Sequence, residues 1–403
     1  MSALTILLIF LRLGLTSFGG PVAHLGYFRA EFVDQEGWFS DQEYADLVAL
    51  CQFMPGPASS QVGFAIGYKQ GGYLGALAAF IGFTLPSAVV MIGLGVTLMS
   101  MAGQLHSGMM QGLKVVAVAV VAQAVWGMAR SLCQSWGTRA LALFSAAILL
   151  FIGSFYSQFF VILMGAVLGL LFFRQSTSHQ SGQMSAADSG VAKKSWGSLF
   201  WVLLFFILLF GLPVLPVFLG DGAQGWAAQV DGFYRSGALV FGGGHVVLPL
   251  LQETVIAAGW VEKDVFLAGY GAAQAMPGPL FTFAGFLGGA LEPAAGSSVL
   301  SGWLGGVVSL LLIFLPGFLL ILGVLPFWDI IRQNKRMQAA LVGVNASVVG
   351  VLLAAFITPV STAGIVEIPH AVVAFAALIA LEKLKMAPWL VVLLSALVGW
   401  ILF

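Results

Sequence analysis

Charge is what this sequence has least of. Among 403 residues only 8% are charged, 16 basic and 16 acidic, whereas 60% are hydrophobic and the mean hydropathy is +1.01. A soluble chain of this length needs far more polar surface, so that class is excluded and the chain reads as a polytopic helical membrane protein. The charges cancel, which removes any overall field that would draw it to nucleic acid. Cysteine is scarce too. Cys51 and Cys133 each sit in an apolar stretch without metal-ligand spacing, which fits small buried thiols and argues against a disulfide or a metal site. There is no His-Glu-x-x-His, no Walker phosphate loop and no Gly-x-Ser-x-Gly elbow, and no cofactor box. The expectation is a protein that is not an enzyme, holds no cofactor and draws its energy from an ion gradient or the membrane potential. The N-terminus lacks a basic region ahead of its apolar run and carries Arg12 within it, so residues 3–28 are expected to be a first span rather than a cleaved leader.

Glycine and proline, by contrast, are plentiful, at 51 and 15, and some of them are placed twice. Met54-Pro55-Gly56-Pro57 returns as Met276-Pro277-Gly278-Pro279, and Phe18-Gly19-Gly20 returns as Phe241-Gly242-Gly243. Arg12 and Arg235 precede the Phe-Gly-Gly runs at one offset. After a single deletion Glu31 falls on Glu253, Gly37-Trp38 on Gly259-Trp260 and Gln52 on Gln274, and further on Leu85-Pro86 meets Leu315-Pro316. Matches that keep their order this far along a chain indicate an internal duplication. The first repeat covers residues 1–173 and the second 224–403. Between them, 174–196 is rich in Ser, Gln, Gly and Lys and reads as a flexible cytoplasmic linker, and 197–219 is a single connecting span.

Basic residues mark the short loops. Lys69, Arg130, Arg139 and Arg174 fall in one set of first-repeat loops, whereas Arg332, Lys335, Arg336, Lys383 and Lys385 fall in the loops equivalent to the bare ones. By the positive-inside rule the repeats insert with opposite topology. The predicted fold is all-α, with about 13 transmembrane helices in two inverted-topology repeats with discontinuous helices, the N-terminus inside and the C-terminus outside.

A proline inside an apolar helix removes a donor and clashes with the preceding turn, and a glycine between two prolines lets the chain bend. The broken helix then exposes N–H groups that lipid cannot satisfy, so the break must face protein, water or a ligand. Matched breaks in two halves point to a transport site. The candidate substrate-binding residues are Arg12, Gly19, Gly20, Gln52, Pro55, Gly56 and Pro57 in the first repeat. In the second they are Arg235, Gly242, Gly243, Gln274, Pro277, Gly278 and Pro279, and Ser59, Ser60 and Thr282 are further donors. Helix N-termini and guanidinium groups suit a small oxyanion. Lys114 has no basic counterpart and is a weaker candidate for the same role. His24, Glu31, His245 and Glu253 lie beside the breaks as either structural partners or proton-coupling groups, and the residues alone leave both roles open.

The doubled Met-Pro-Gly-Pro and Phe-Gly-Gly runs, in a chain of about 400 residues with two halves, resemble the chromate ion transporter family in its long two-domain form. That resemblance implies export of chromate, a tetrahedral dianion shaped like sulfate, across the bacterial inner membrane, driven by the membrane potential or a proton gradient and conferring chromate resistance. Uptake or exchange of sulfate or another oxyanion is the alternative. The expected partners are the oxyanion and membrane lipid, with no nucleic acid and with a homodimer left open. Alternating access is expected from rocking of one half against the other. Pro21 is replaced by Gly244 in the second repeat, so the halves are not equivalent.

Overall fold

The computed structural model describes residues 1–100, 107–152, 157–173, 196–218, 224–241, 244–292, 299–328 and 334–403, and all regular structure among them is helical. Gly242, Gly243 and the linker up to residue 195 lie outside the described residues.

The first 70 residues form two hairpins. Helix α1 (Ala3–Thr16) ends at Ser17, Gly19 and Gly20 adopt φ of 98° and 76°, and α2 (Gly20–Arg29) starts with Pro21 in its first turn. Positive φ at two successive residues is cheap only for glycine, so this dipeptide can reverse the chain. It does so: Phe10 packs its ring on Phe28 and Phe32, and Arg12 pairs with Glu31 in the π-helical turn Ala30–Gln35 that follows α2. Helix α3 (Asp41–Phe53) opens with a Ser40–Glu43 capping box and stops at Met54, and the chain turns again at Gly56, φ 126°. The amino group of Met1 donates to Gln70 O at 2.8 Å, so both hairpins begin and end at one end of the molecule. Each segment expected as one broken span is thus a re-entrant pair, because the break reverses the chain where a proline kink would only bend it.

The long helix α4 (Ala58–Ser100) is itself two arms, separated by Gly71 and Gly72, the latter at φ 60° and ψ −151°. Only glycine holds that conformation without strain. The second arm turns back so closely that a Cβ on Gly67 would strike Ala79 at 2.7 Å. It carries the predicted span 72–99.

The second half repeats the plan. Helices α5 (Ser107–Leu132), α6 (Trp136–Phe151), α7 (Ser157–Phe172), α8 (Trp196–Gly211) and the short α9 (Leu215–Phe218) come first. Then α10 (Gln224–Ala238) and α11 (Val247–Val255) form a hairpin held by Ser236 and Thr254 hydroxyls 3.0 Å apart. A further hairpin is built from α12 (Lys263–Ala273) and α13 (Phe283–Gly289), with Phe266 against Phe283 and Glu292 N donating to Trp260 O at 2.9 Å across its mouth. Gly302, φ 63°, reverses the chain into α14 (Gly302–Val324), as Gly72 does in the first half. Helices α15 (Lys335–Ala355), α16 (Ile368–Glu382) and α17 (Pro388–Leu402) complete the fold.

The second arm of α4 measures the separation of the two hairpin pairs. Near its start Gly75 lies against Ile6, and near its end Gly95 lies against the Phe286 carbonyl and Ala290. Twenty residues of helix separate those points, about 30 Å, close to the hydrocarbon thickness of a bilayer. The hairpins therefore approach from opposite ends and their tips meet between. Five helices among the described residues are long and apolar enough to cross a membrane: Ala58–Leu98, Ser107–Leu132, Gly197–Phe218, Gly302–Phe327 and Lys335–Gly364.

Packing does not respect the halves. Hairpin elements α1, α2, α3, α10 and α13 gather on α4 and α14, which touch each other, as one bundle. In a second bundle α5 is packed by α16 and α17 of the other half, and α15 by α6 and α7 of the first. Small residues permit this close crossing: a Cβ on Gly112 would strike the Ser395 carbonyl, and one on Gly343 the Gly165 carbonyl.

Candidate functional site

The tips of the hairpins are joined to one another by backbone. Gly56 N donates to Val240 O at 2.8 Å, and Gly278 N donates to Ser17 O at 2.9 Å. Each Pro-Gly-Pro turn of one half is thus tied to the residue preceding Phe-Gly-Gly in the other. These two glycine N–H groups were expected to face a ligand, and the fold has already used them. Gln61, fully buried, donates through Nε2 to Pro55 O at 2.9 Å and to Gly317 O at 3.2 Å, fixing the first turn against α14. Beside the first-half tips His24 Nδ1 lies 3.3 Å from Ser59 Oγ, and Ser17 Oγ, Ser60 Oγ and Thr84 Oγ1 are buried with no hydrogen-bond partner among the described residues.

Next to this junction is a cavity of about 60 Å³ lined by Gly19, Gly20, His245 and Gln274 from the hairpin bundle and by Val120, Gln123, Leu381 and Pro388 from the other. It lies at the seam between the two bundles. Gly19 and Gly20 present the N-terminus of α2 to it, with the partial positive charge of a helix start. Gln274 Nε2 is buried next to Tyr270 Oη without a hydrogen bond of good geometry, a donor that costs free energy unless something accepts well from it. His245 is oriented by a 2.7 Å bond between its Nδ1 and Tyr270 Oη, and Gln123 Nε2 donates to Glu382 Oε2 at 3.3 Å. Among the described residues the lining holds no Asp, Glu, Lys or Arg side chain. The space is well below the size of a typical pocket for an organic ligand.

The structure thus brings Gly19, Gly20, His245 and Gln274 together and places the other candidates elsewhere. Gln52, the counterpart of Gln274, is exposed on α3. Pro55, Pro57, Pro277 and Pro279 shape the turns without lining the cavity. Arg12 pairs with Glu31, and Arg235 with Asp231 one turn earlier on α10. Neither guanidinium lines the small cavity. Arg235 and Glu253 instead line a larger cavity of about 240 Å³ with Gln158, Ser236 and Thr254. Lys114 is buried and paired with Asp264 at 3.0 Å, joining α5 to α12 across the halves. Gln123, Gln158 and Asp231 were not singled out by the sequence because none of them is duplicated. The legible signal was a lone glutamine, or an acid at i−4 from an arginine, within an apolar run.

Helical hairpins that meet tip to tip, with a polar-lined cavity beside them among long apolar helices, are an arrangement suited to a polytopic membrane transporter. The family model described as chromate transporter matches residues 4–170 and 228–400, and the chain belongs to that family. An uncharacterised transporter of Methanocaldococcus jannaschii is 29% identical over 88% of this chain and 83% of its own length. The chromate transport protein of Pseudomonas aeruginosa is 28% identical over 98% of this chain and 91% of its own, and a probable chromate transport protein of Synechococcus elongatus is 26% identical over 97% and 93%. No solved structure matches.

Proposed function

We propose that this protein is a secondary transporter that exports chromate across the bacterial inner membrane and so confers chromate resistance, with the anion held in the cavity of Gly19, Gly20, Gln123, His245 and Gln274. The observation that carries the reading is this cavity itself: a helix N-terminus and a buried, poorly satisfied amide donor meet at a seam between two bundles. Neutral donors hold a dianion without the grip of an arginine clamp, and a carrier must release what it binds. The substrate follows the family and the names of the relatives; the size and donor chemistry of the cavity suit it.

In this reading the halves are inverted repeats. The second arm of α4, α5, α6, α7, α8, α14, α15, α16 and α17 cross the membrane, and each half adds two re-entrant hairpins from its own side. This replaces the count of about 13 spans and keeps the odd number that places the termini on opposite sides. Lys69, Arg130, Arg139, Lys335, Arg336, Lys383 and Lys385 then share the cytoplasmic face. Leu381 and Pro388 flank the basic turn at 383–387, which places that wall of the cavity nearest the cytoplasmic face in this reading. Alternating access is movement of the hairpin bundle against the α5–α7 and α15–α17 bundle, since exchanged helices prevent the halves from rocking as units. Outward movement of a dianion down an inside-negative potential releases about 4.6 kcal/mol at 100 mV, so export needs no ATP.

Labelled chromate and sulfate fluxes in inverted vesicles, with the potential and the proton gradient collapsed separately, test the proposal. Chromate accumulation that disappears with the potential supports it. Flux of sulfate alone, or chromate movement only toward the cytoplasm, would replace it with oxyanion uptake or exchange.

A further inference from the structure

The repeats keep the residues Arg12/Glu31 and Arg235/Glu253 but not the pairing between them. In the first half Arg12 bridges to Glu31, which is 6% exposed. In the second, Asp231 stands where the first half has Leu8, and Arg235 bridges to it. Glu253 is half-buried on α11 and has no hydrogen-bond or ion-pair partner among the described residues. It lines the 240 Å³ cavity, whose other walls include Phe159, Leu209, Phe210 and Pro213.

A second group in that cavity is also unsatisfied. Gln158 of α7, 9% exposed, donates through Nε2 to Pro249 O at 3.3 Å, while its Oε1 is buried without a donor. The cavity thus holds a carboxyl lacking a partner and an acceptor lacking a donor. A proton on Glu253 supplies what both lack. The charged residue that lines the cavity with Glu253 is Arg235 of α10, which Asp231 already bridges; α7, α8 and α15 from Met337 to Ala355 contain no ionisable side chain. With Arg235 bridged by Asp231, an ionised Glu253 is a surplus negative charge in a cavity with largely apolar walls, and such a charge is relieved by taking up a proton. Ser236 and Thr254 are already bonded to each other and do not compete.

The geometry points to Glu253 as the proton-binding site of this carrier, with the neutral carboxyl donating to Gln158 Oε1 and latching the hairpin bundle to the second bundle. The step moves one proton from water to the carboxylate and breaks no other bond. Losing that proton opens the latch between α11 and α7, so proton occupancy sets which position of the hairpin bundle is favoured. The inference rests on the transport reading for its role and on the cavity for its chemistry.

The test uses the full chain in lipid nanodiscs without added anion. Hydrogen exchange along 157–165 and 247–255 is followed against pH. Wild type is expected to gain protection as pH falls. E253Q, whose amide can still donate to Gln158, is expected to be protected at every pH, and Q158M to lose the response because the acceptor is gone. D231N frees Arg235 to hold Glu253 as Arg12 holds Glu31, moving the response to lower pH by about 1–3 units. In vesicles E253Q is expected to bind chromate and to lose the pH dependence of flux. A wild type without a pH response, or an E253Q variant with the wild-type profile, overturns the inference. A pH response removed by E253Q in a protein that moves no oxyanion leaves the proton latch standing and overturns the transport reading instead.

Discussion

The two halves share a plan and differ in how they handle the same charges. In the first, an arginine and a glutamate one hairpin strand apart are paired, and the glutamate is buried. In the second, an aspartate on the arginine's own helix takes the guanidinium and leaves the glutamate in a cavity. The tips differ in the same direction. His245 and Gln274 reach the small cavity, whereas the first-half equivalent Gln52 faces outward and His24 is enclosed against Ser59 and Phe83. The first half supplies a helix N-terminus at Gly19 and Gly20 and the second supplies side-chain donors. Two halves of similar plan therefore line the small cavity unequally, because burial strongly penalises a second set of polar groups with nothing to pair with.

Separating the halves breaks the comparison most completely. Residues 1–173 expressed alone lack the partners of α5, which are α16 and α17, and 196–403 alone lacks α6 and α7 for α15. Neither half is expected to give vectorial flux, and co-expression is expected to restore it; flux from either half alone would show that the exchanged packing is dispensable. The next largest effect concerns the arginines. Arg235→Ala strands Asp231 with its side chain only 12% exposed, a loss of about 3–5 kcal/mol. Arg12 is 59% exposed, so Arg12→Ala is expected to cost about 1–3 kcal/mol through Glu31, and Glu31→Gln added to it should recover most of that. Unfolding in detergent reads both, and equal losses would erase the distinction.

The Pro-Gly-Pro turns come next. A Cβ at Gly278 would lie 2.9 Å from Ser87 Oγ and 3.1 Å from the Phe83 carbonyl, whereas at Gly56 the nearest atom is the Gln61 amide end at 2.8 Å. Both glycines have positive φ, so each alanine substitution costs about 1–3 kcal/mol. The two losses are expected to be comparable, since each new Cβ also meets backbone, the Phe83 carbonyl at 3.1 Å for Gly278 and Gly317 Cα at 3.2 Å for Gly56, and the measured melting temperatures check this. The smallest effect separates the aligned glutamines. Gln274→Leu is expected to weaken chromate binding by about 10- to 100-fold, the value of one or two hydrogen bonds to a charged ligand, while Gln52→Leu leaves it unchanged. Calorimetric titration of the purified protein distinguishes them, and equal losses would move the site off the small cavity.

Much of this molecule was legible before any coordinates. The shortage of charge fixed a helical membrane protein, the doubled motifs pointed to a duplication, and Gly19, Gly20, Gln274 and His245 were named from the glycine and proline breaks. Those features depend on chain chemistry within a few residues: a glycine at positive φ or a proline in an apolar helix acts locally wherever it stands. Tertiary structure alone decided that the breaks reverse the chain, that Gly56 and Gly278 spend their N–H groups on Val240 and Ser17, and that Asp231 rather than Glu253 holds Arg235. It also decided that α5 and α15 trade neighbours. Those outcomes are choices among partners of nearly equal chemistry, far apart in sequence, and only the position of each group in the folded bundle separates one partner from another.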